Sequence, residues 1–585
     1  MLTALLIENR VRHLLFIGAF REAEGAENRF LVETLRAMER EQVDRQLLPL
    51  APATLEEIAA LVAASLRCSA EEARPLAEFL QRQTGGNLLF VKELLVSMYN
   101  DGLIVYWSGE EGGWRWDWQR LPDTPYAGDL IQFLLEKLER LPLETRKIIQ
   151  LAACAGETFP AGLLAVASGM PPAEVAGHLG RCLEAGLIEE KCAGVYGFVH
   201  DRVYQAAYFS LAERERQAIH YRLGRLLLNR GGEEPGEMDP ADFLAAVNQL
   251  NLGLAVLVAN GENIRGAKLN LLAGQRAKRA LAFSAALDYL RTGLSLLDDG
   301  AWATGYPLVY RLTLERLECE YLCDNFTAAE SLYGELVKRA RTMLDRTAAH
   351  LIRILFLTQR EMFAAAIATG LQGLRELGCP LPAKPSWWHM LRALVKFKLL
   401  LHRTGAGRVA ELPPVKDREV EAAVDLLMAI GPSTYLDNQD LLALVSLQTA
   451  VLSLRHGNTD NSGSGYMAVA MILLHSLRDY RTAVPLAQAA LELAGNSGSL
   501  VDKYTVYFLY GAFVHPWVRP LQAAEPFLTR AREYSLAACD LTYGGYAMNF
   551  HIVAMYSAGA PLPDLEDRIR DYSQYERRLP DTSFS

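Results

Sequence analysis

Helical spacing of apolar positions dominates the chain from about residue 243 onward, where we find no convincing strand pattern. Two stretches there share a plan of helix, tight turn and second helix: YLCDNFTAA at 321–329 and LRDYRTAVPL at 477–486. Alanine at packed positions and aromatic residues at turns are typical of tetratricopeptide-like repeats. The pattern predicts a helical-repeat superhelix over 243–585, with a possible bend at the Pro-rich stretch 378–415.

The first 128 residues mix strand and helix patterns. The run HLLFIGA at 13–19 predicts a buried strand over Leu14–Ile17, and the run is followed at once by Phe20, Arg21 and Glu22. Residues 46–50 resemble another short strand. Thr54 with Glu57 three residues later predicts a capped helix. Further helices are predicted at 70–82 and 87–100, followed by a Trp-rich hairpin over 103–118.

Residues 129–199 predict a compact unit of four helices followed by a two-stranded ribbon at 187–190 and 195–198, which is winged-helix order. Phe159 and Leu163 are assigned to the third of these helices. Two more helices follow, the first beginning beside Asp201, and the acidic Gly/Pro-rich stretch 231–242 predicts a boundary. The predicted fold is mainly α, with the following parts: 1–50, a C-terminal remnant of an α/β ATPase core; 51–128, a helical lid with the hairpin; 129–235, a winged-helix domain and following helices; 243–585, the repeats.

Composition and charge narrow the function classes. The net charge of −10 argues against a general binder of nucleic acid or anionic membranes, whose footprint is a basic patch. No run of about 18 apolar residues predicts a membrane-spanning helix. The eight cysteines form no C-x-x-C pair, so neither a zinc site nor a redox motif is indicated. Cys319 and Cys323, one helical turn apart, are expected to pack in the core. A cytoplasmic location is also expected for the chain.

Some residues favour a structural interpretation over a chemical one. His200 and Asp201 could form an acid–base or metal pair, but no further ligand stands near them in sequence, so helix capping and interdomain packing are favoured. The candidate recognition helix at 172–185 offers mainly His178 and Arg181 beside acidic residues. This is too little positive charge for phosphate contacts, and DNA is not an expected partner.

Two groups of tryptophans leave their alternatives open. Those of the hairpin form either an aromatic ligand cage or a packing surface for a neighbouring domain: Trp107, Trp114, Trp116 and Trp118. The pair Trp387 and Trp388 either pins a loop or marks a partner site.

Several stretches together resemble one family. They are LLFIGAFRE at 14–22, TGGNLLFVKELL at 84–95, LERLPLETRKIIQLAACAGETF at 138–159 and FVHDRVYQAAY at 198–208, with LRHGNTDNSGSGYMAVAMIL at 454–473 in the repeats. Their order resembles the signal-transduction ATPases with numerous domains, of the AAA-related, Orc1-like class, as in bacterial multi-sensor serine/threonine or histidine kinases. The resemblance covers nearly the whole chain.

The resemblance implies roles for five residues. Arg21 would be the sensor of the nucleotide's terminal phosphate, Asn87 would belong to the lid, and His200, Asp201 and Arg202 would form an interdomain joint. It also implies ATP and Mg²⁺ for a complete core, and kinase and sensor domains in the same parent polypeptide. A protein partner or small signal ligand would bind the helical-repeat surface.

The departures from the family pattern concern the chemistry. No G-x-x-x-x-G-K-[ST] phosphate loop and no kinase signature occurs, no acidic metal-binding strand precedes Leu14, and Asn87 is followed by Leu88 where the family usually has proline. We therefore expect a fragment without catalytic residues or a bound cofactor of its own. It would be the regulatory or sensor segment that couples ligand or partner binding to a nucleotide switch. Two alternatives stay open: part of an ATP-hydrolysing multi-sensor kinase whose catalytic motifs lie outside the chain, and a winged-helix transcription regulator.

Overall fold

The computed structural model describes most of the chain beyond residue 47. The described residues are 17–18, 35–36, 38–39, 46, 48–100, 102–107, 113–116, 130–230, 238–538 and 540–576; the side chains of 100, 130–133, 230 and 574–576 are not described. Contacts divide the chain into two compact units, Met1–Ala212 and Glu213–Ser585. Each unit is considered by itself.

The first unit combines short helices with two small sheets. Its helices are α1 Leu55–Leu66, α2 Ala70–Thr84, α3 Leu88–Asn100, α4 Leu130–Glu139, α5 Leu143–Ala155, α6 Ala161–Ser168, α7 Pro172–Glu184 and α8 Asp201–Phe209. Its strands are β1 Ile104–Trp107, β2 Gly113–Trp116, β3 Thr158–Pro160, β4 Ile188–Cys192 and β5 Val195–Phe198. Positions 35–36 and 38–39 are also helical.

The predicted capping signal at the start of α1 is confirmed. The Thr54 hydroxyl accepts a hydrogen bond from the backbone amide of Glu57, and the Glu57 carboxylate accepts one from the amide of Thr54. The turn between α2 and α3 depends on Gly86, whose φ is 84°. A Cβ atom there would lie 2.6 Å from the carbonyl oxygen of Ala53, so only glycine fits.

The sheets agree with the predicted hairpin and ribbon. Strands β1 and β2 pair antiparallel, and β4 pairs with β5 in a three-stranded sheet of order β3-β5-β4. The third strand was not predicted. Phe159, assigned from the sequence to a helix, lies in β3 opposite Tyr196, and α6 begins only at Ala161. Phe159 is fully buried and its ring lies against Phe198, which explains why this position is apolar.

Two strand predictions near the N-terminus do not hold where residues are described. Ile17, expected at the buried end of a strand, is 82% exposed and outside any strand. Residues 46 and 48–50 also form no strand, and Leu48 and Leu50 are exposed. A strand needs a neighbour to pair its backbone groups, and none of the described residues pairs with these segments. The rest of the predicted Leu14–Ile17 strand lies outside the described residues.

The second unit is built of helices. They are α9 Glu213–Arg230, α10 Pro240–Leu252, α11 Leu254–Ala259, α12 Asn263–Arg279, α13 Phe283–Ser295, α14 Ala301–Thr304, α15 Tyr306–Leu322, α16 Phe326–Arg339, α17 Met343–Gln359, α18 Phe363–Glu376, α19 Trp387–Thr404, α20 Arg418–Ala429, α21 Gly431–Asp437, α22 Gln439–His456, α23 Ser462–His475, α24 Tyr480–Asn496, α25 Leu500–Leu509, α26 Glu525–Ala537, α27 Leu541–Ser557 and α28 Leu562–Glu576. Short 3-10 turns cover Ala406–Glu411, His515–Trp517 and Leu521–Ala524, and a π turn covers Tyr510–Val514.

Neighbouring helices of this unit pack in sequential pairs, among them α12 with α13, α17 with α18, α23 with α24 and α26 with α27. Within the described parts of 238–576 the sole strand-like contact is one isolated bridge, between Pro414 and Asn458. The predicted mainly α, helical-repeat fold is confirmed. The helix α10 begins at Pro240, inside the stretch 231–242 predicted as a loop, because Asp239 caps it.

A recurring turn marks four of the helix pairs. In each, a non-glycine residue adopts a left-handed φ of 55–61°, and these residues are Leu281, Asp324, Glu361 and Arg478. Two residues later an aromatic side chain opens the next helix: Phe283, Phe326, Phe363 and Tyr480. Three residues further on stands a fully buried alanine: Ala286, Ala329, Ala366 and Ala483. Alanine lets the two helices approach closely, so the turn and the packing are specified together.

The helix α19 is held at both of its connectors by the ends of α22. Before α19, the side-chain amide of Asn438 donates to the carbonyl of Ala383 at 3.0 Å. After it, the side-chain amide of Asn458 donates to the carbonyl of Val409 at 2.8 Å. The backbone of Asn458 also pairs with Pro413 and Val415. The stretch 378–415, predicted as a possible bend, contains both of these connectors.

Candidate functional site

Two residues are predicted to contact a nucleotide, Arg21 and Asn87, and the structure describes only the second. Arg21 lies outside the described residues. Asn87 sits at the start of α3, where its Oδ1 atom accepts hydrogen bonds from the amides of Leu89 and Phe90 at 3.1 and 3.2 Å. These bonds satisfy two of the four free amides of the helix end. Its carbonyl oxygen therefore has a structural task, and a lid contact to a nucleotide stays a prediction.

The predicted joint is a helix cap. His200 precedes α8, and its Nδ1 atom accepts a hydrogen bond of 3.1 Å from the amide of Arg202. Nδ1 also lies against Oδ1 of Asp201. A nitrogen that accepts a hydrogen bond carries no proton of its own. Because Nδ1 accepts from the amide of Arg202, we assign the ring proton to Nε2. Asp201 occupies the first helical position, where a carboxylate interacts favourably with the helix dipole. Arg202 donates to Gln205 within the same helix.

The helix α7, the candidate recognition helix, keeps its histidine inside. His178 is buried, and its Nδ1 atom lies 2.9 Å from the hydroxyl oxygen of Thr145 on α5. Arg181 is exposed, and so are Glu174 and Glu184 on the same helix. The surface of α7 therefore offers a polyanion one cation beside two carboxylates.

Trp107 and Trp114 of the hairpin contact neighbouring side chains of the hairpin and of α3. The ring of Trp114 meets Tyr99 and Tyr106 edge-on, with centroids 5.8 and 5.4 Å away. Arg115 lies over the ring of Trp107. These contacts favour packing over an open ligand cage, and Trp118 lies outside the described residues.

A buried carboxylate that the sequence did not single out lies in the second unit. Asp502 on α25 is fully buried, and its Oδ1 atom accepts two hydrogen bonds of 2.7 Å from the amide and the hydroxyl of Ser464 in α23. Its other oxygen, Oδ2, is buried without a hydrogen-bond partner. Burial raises the pKa of Asp502 to about 6, against the lowering effect of the Ser464 bonds.

Gly463 makes this arrangement possible. A Cβ atom at that position would lie 2.5 Å from Oδ2 of Asp502. The sequence gives no sign of this site. Ser499 and Asp502 have the spacing of a capping box, which predicts that the Asp502 carboxylate binds the start of its own helix. Ser499 does cap α25 through the amide of Asp502, while the Asp502 carboxylate points to Ser464.

Hydroxyl groups continue this polar cluster through the turn before α23. The Ser462 hydroxyl lies 2.7 Å from that of Ser453 and 3.1 Å from that of Thr459. The phenol of Tyr466 donates to Oδ1 of Asn458 at 3.1 Å. All five side chains are buried. Their bonds fix the turn that also holds the connector after α19.

A second buried charge joins the earlier repeats. Glu320 on α15 is fully buried, and its carboxylate accepts hydrogen bonds from Arg291, Arg316 and Asn325 at 2.8–3.1 Å. Burial acts to raise the pKa of Glu320, but the bonds from these three donors outweigh it and lower the pKa overall. Glu320 thereby ties α13, α15 and the start of α16 together.

The exposure of Trp387 and Trp388 argues against one of their two predicted roles, the pinning of a loop, and the partner site stays a prediction. Their side chains are 61% and 65% exposed at the start of α19, with ring centroids 4.0 Å apart. Tryptophans that pinned a loop would be covered by it. Cys319, by contrast, is buried in the core as expected, with Cys323 packed against it.

The described residues also bound the possible chemistry. Among them no three His, Cys, Asp or Glu side chains come together in a way that could hold a metal ion. No helix in the described part of the chain is long and apolar enough to cross a membrane. The polar clusters around Asp502 and Glu320 are buried, so they serve the packing of the repeats.

Comparisons with known proteins give a sequence relative and a solved structure. No family model matches the chain. The chain is 22% identical, over 97% of its length, to the hybrid signal transduction histidine kinase G of Dictyostelium discoideum, and it spans 18% of that protein's length. A solved structure of a signal-transduction ATPase with numerous domains and a tetratricopeptide repeat sensor, from Pyrococcus horikoshii, is 14% identical. It covers 92% of this chain and 75% of that one with a TM-score of 0.34, a likeness too weak to argue from.

Proposed function

We propose that this chain is the regulatory segment of a signal-transduction ATPase, in which a helical-repeat surface binds a protein partner or a small signal ligand. Binding there would bias a nucleotide switch through the ribbon unit and the α8 joint. The observation that carries the proposal is the alignment of 97% of the chain with a hybrid signal transduction histidine kinase. Kinase and sensor domains in the same parent polypeptide, ATP with Mg²⁺ in a complete core, and a cytoplasmic location belong to the proposal.

The chain's own residues support a regulatory role over a catalytic one. The sequence contains no phosphate loop and no kinase signature. In two-state devices a ligand acts only by binding the two states unequally, so the segment would need a surface whose exposure or shape differs between states. The stacked helical pairs of 238–576 provide a long surface on which a partner or ligand would bind.

Titration calorimetry with ATP in the presence and absence of Mg²⁺ tests the proposal. The chain by itself should bind no nucleotide in the micromolar range and should release no phosphate from ATP. Micromolar, Mg²⁺-dependent binding would contradict it and favour a nucleotide-binding enzyme. A mobility shift with mixed-sequence DNA at low salt addresses the transcription-regulator alternative, for which the buried His178 predicts no complex.

A further inference from the structure

The helix α19 has two opposite apolar faces. One face is buried in the core of the second unit through Ala393, Phe397 and Leu401. The other consists of Trp388, Leu391, Val395 and Leu399, which follow one another at spacings of three or four residues and are exposed. At 3.6 residues per turn these two sets lie on opposite sides of the helix. The exposed stripe, named here the α19 stripe, runs for about three turns.

The stripe is a substantial apolar surface. Trp388 and Leu399 at its two ends are 65% and 62% exposed. A shallow hollow of about 450 Å³ follows it, lined by the four stripe residues together with Arg392 and Lys396. Contiguous exposed apolar patches of this kind mark interaction sites in soluble proteins.

Positive charge edges the stripe. Residues 377–410 contain six Lys and Arg residues and no acid, in a chain of net charge −10: Lys384, Arg392, Lys396, Lys398, Arg403 and Arg408. Arg392, Lys396 and Arg403 fall along one edge of the stripe by helical spacing. Lys398, on the other edge, pairs with Asp479 at 2.9 Å.

The positive edge extends beyond α19. Burial lowers the pKa of Lys396, and the nearby charges of Arg455 on α22 and of Arg392 lower it further. An anionic partner would reduce the repulsion among these neighbouring positive charges.

These features select among the possible occupants. A second copy of the same stripe would bring like charges together along the edge. An anionic bilayer would meet a chain whose net charge is −10, and it would engage only a stripe one helix wide. A single helix with its own apolar stripe matches the three turns of α19, and acids along one flank of that helix would face Arg392 and Lys396.

We propose that the α19 stripe binds an acidic amphipathic helix of about three to four turns, with Glu or Asp along the flank that faces Arg392 and Lys396. The inference rests on the proposed function, because it names the chemistry of the partner that the regulatory surface receives. An interface of this size lies at the small end of specific interfaces, so micromolar affinity is expected.

A displayed library of helical peptides tests the proposal. Each peptide has 18 residues, leucine at positions i, i+3, i+7 and i+11, and randomised polar positions. The library is selected on the whole chain and counter-selected on the Leu399→Ser variant. Glu and Asp should be enriched along one flank. A selection that enriches no peptide, or that enriches Lys and Arg or no charge, would overturn the proposal.

Selected peptides are then measured by fluorescence anisotropy. Leu399→Ser and the pair Arg392→Glu with Lys396→Glu should each weaken binding at least tenfold. Leu355→Ser, which alters an equally exposed leucine on α17, and the pair Lys416→Glu with Arg418→Glu should change it less than twofold. Equal effects in test and control variants would contradict the proposal, with circular dichroism reporting the fold of each variant.

Vesicles containing 30% phosphatidylserine separate the membrane from the helix. Co-sedimentation of the chain with these vesicles, lost in Arg392→Glu with Lys396→Glu, would overturn the helix in favour of a lipid surface. Failure of the peptide selection beside an absence of nucleotide binding would refute the helix alone. Micromolar Mg²⁺-dependent ATP binding would refute the proposed function and leave the peptide result to stand on its own.

Discussion

Oδ1 of Asp502 accepts two hydrogen bonds from Ser464, one from the backbone amide and one from the hydroxyl, each 2.7 Å long. The amide belongs to the first turn of α23, where the helix dipole favours a negative charge. Burial opposes that stabilisation and prevails, since the pKa of Asp502 is raised to about 6. The helix pair α23 and α25 is therefore joined by a carboxyl group that keeps its proton to a higher pH than an exposed aspartate does.

The pH dependence of stability follows from this preference. Burial raises the pKa of Asp502 from its usual value of 3.8 to about 6, so folding favours its protonated form. Its contribution is complete below pH 3.8 and is lost as pH rises through about 6, roughly 3 kcal/mol in all. Asp502→Asn should remove this part of the pH dependence between pH 4 and 7. Thermal unfolding at several pH values measures it.

The exposed Asp437 provides the control for this experiment. Asp437→Asn should leave the pH profile of the unfolding temperature close to that of the wild type. An Asp502→Asn profile parallel to the wild-type profile would show that the buried carboxyl does not titrate in this range.

Glycine at 463 is required by the same carboxyl group. In Gly463→Ala the new methyl group would meet Oδ2 of Asp502 at 2.5 Å, and this overpacking should cost about 1–3 kcal/mol. Gly545→Ala in α27 meets nothing within 4 Å and should instead stabilise by up to about 1 kcal/mol through helix propensity. Urea unfolding of the two variants should therefore shift in opposite directions. A stabilised Gly463→Ala would contradict the close approach.

Removing the buried carboxylate of Glu320 should destabilise the fold more than removing an exposed acid from the same helix. Glu320→Ala leaves Arg291, Arg316 and Asn325 without their common acceptor, and a loss of about 2–3 kcal/mol is expected. Because its pKa is lowered, the ionised form of Glu320 stabilises the fold at pH values above the usual glutamate pKa of 4.5. This contribution is lost as pH falls through the folded pKa. Chemical unfolding at pH 7 and at pH 3.5 should show the difference between variant and wild type shrinking in acid.

Glu318 on the same helix supplies the comparison. It shares Lys278 with Glu315, and its side chain is 40% exposed. Glu318→Ala should cost under about 1 kcal/mol because the Lys278–Glu315 pair remains. Equal losses for the two alanine variants would argue against a special role for burial at Glu320.

The cap before α8 can be separated from the charge beside it. His200→Ala removes the acceptor for the amide of Arg202 and should cost about 0.5–2 kcal/mol, whereas His200→Asn retains an acceptor and should cost less. Asp201→Ala removes the interaction with the helix dipole, about 0.3–1 kcal/mol, together with the contact to His200. Hydrogen exchange at the amides of α8 reports these changes locally. Faster exchange in Asp201→Ala than in His200→Ala would reverse the assigned roles.

Local signals predicted the parts of the fold that depend on neighbouring residues. Thr54 with Glu57 has the spacing of a capping box, and the ribbon at 187–198 alternates around a short turn, so both were accessible from sequence. The strand β3 was missed because its three residues, Thr158–Pro160, are too few to show a period and depend on β5 for pairing. The exposed Ile17 shows the reverse error, since an apolar run by itself does not supply a partner strand.

The candidate site was less accessible for the same physical reason. Asp502 and Ser464 are brought together by the packing of α25 on α23. Neither segment has a local sequence pattern that predicts contact with the other. The α19 stripe was signalled by the exposed Trp387 and Trp388, but sequence could not tell a pinned loop from an open face. The four buried alanines of the recurring turn were visible as a pattern of aromatic residues and alanines, while the left-handed residue before each was not.

The fastening of α19 by Asn438 and Asn458 has a mechanical consequence. The two asparagines flank α22, a rod of about 27 Å, and each grips one of the connectors of α19. A force on the exposed side of α19 would therefore act on both ends of α22, through Asn438 and Asn458. One of those ends is the hydroxyl-lined turn beside Ser462, two residues from the partner of the buried carboxyl group. Displacing α19 would therefore disturb both ends of α22, and one of these ends leads into the segment that carries Ser464, the hydrogen-bond partner of Asp502.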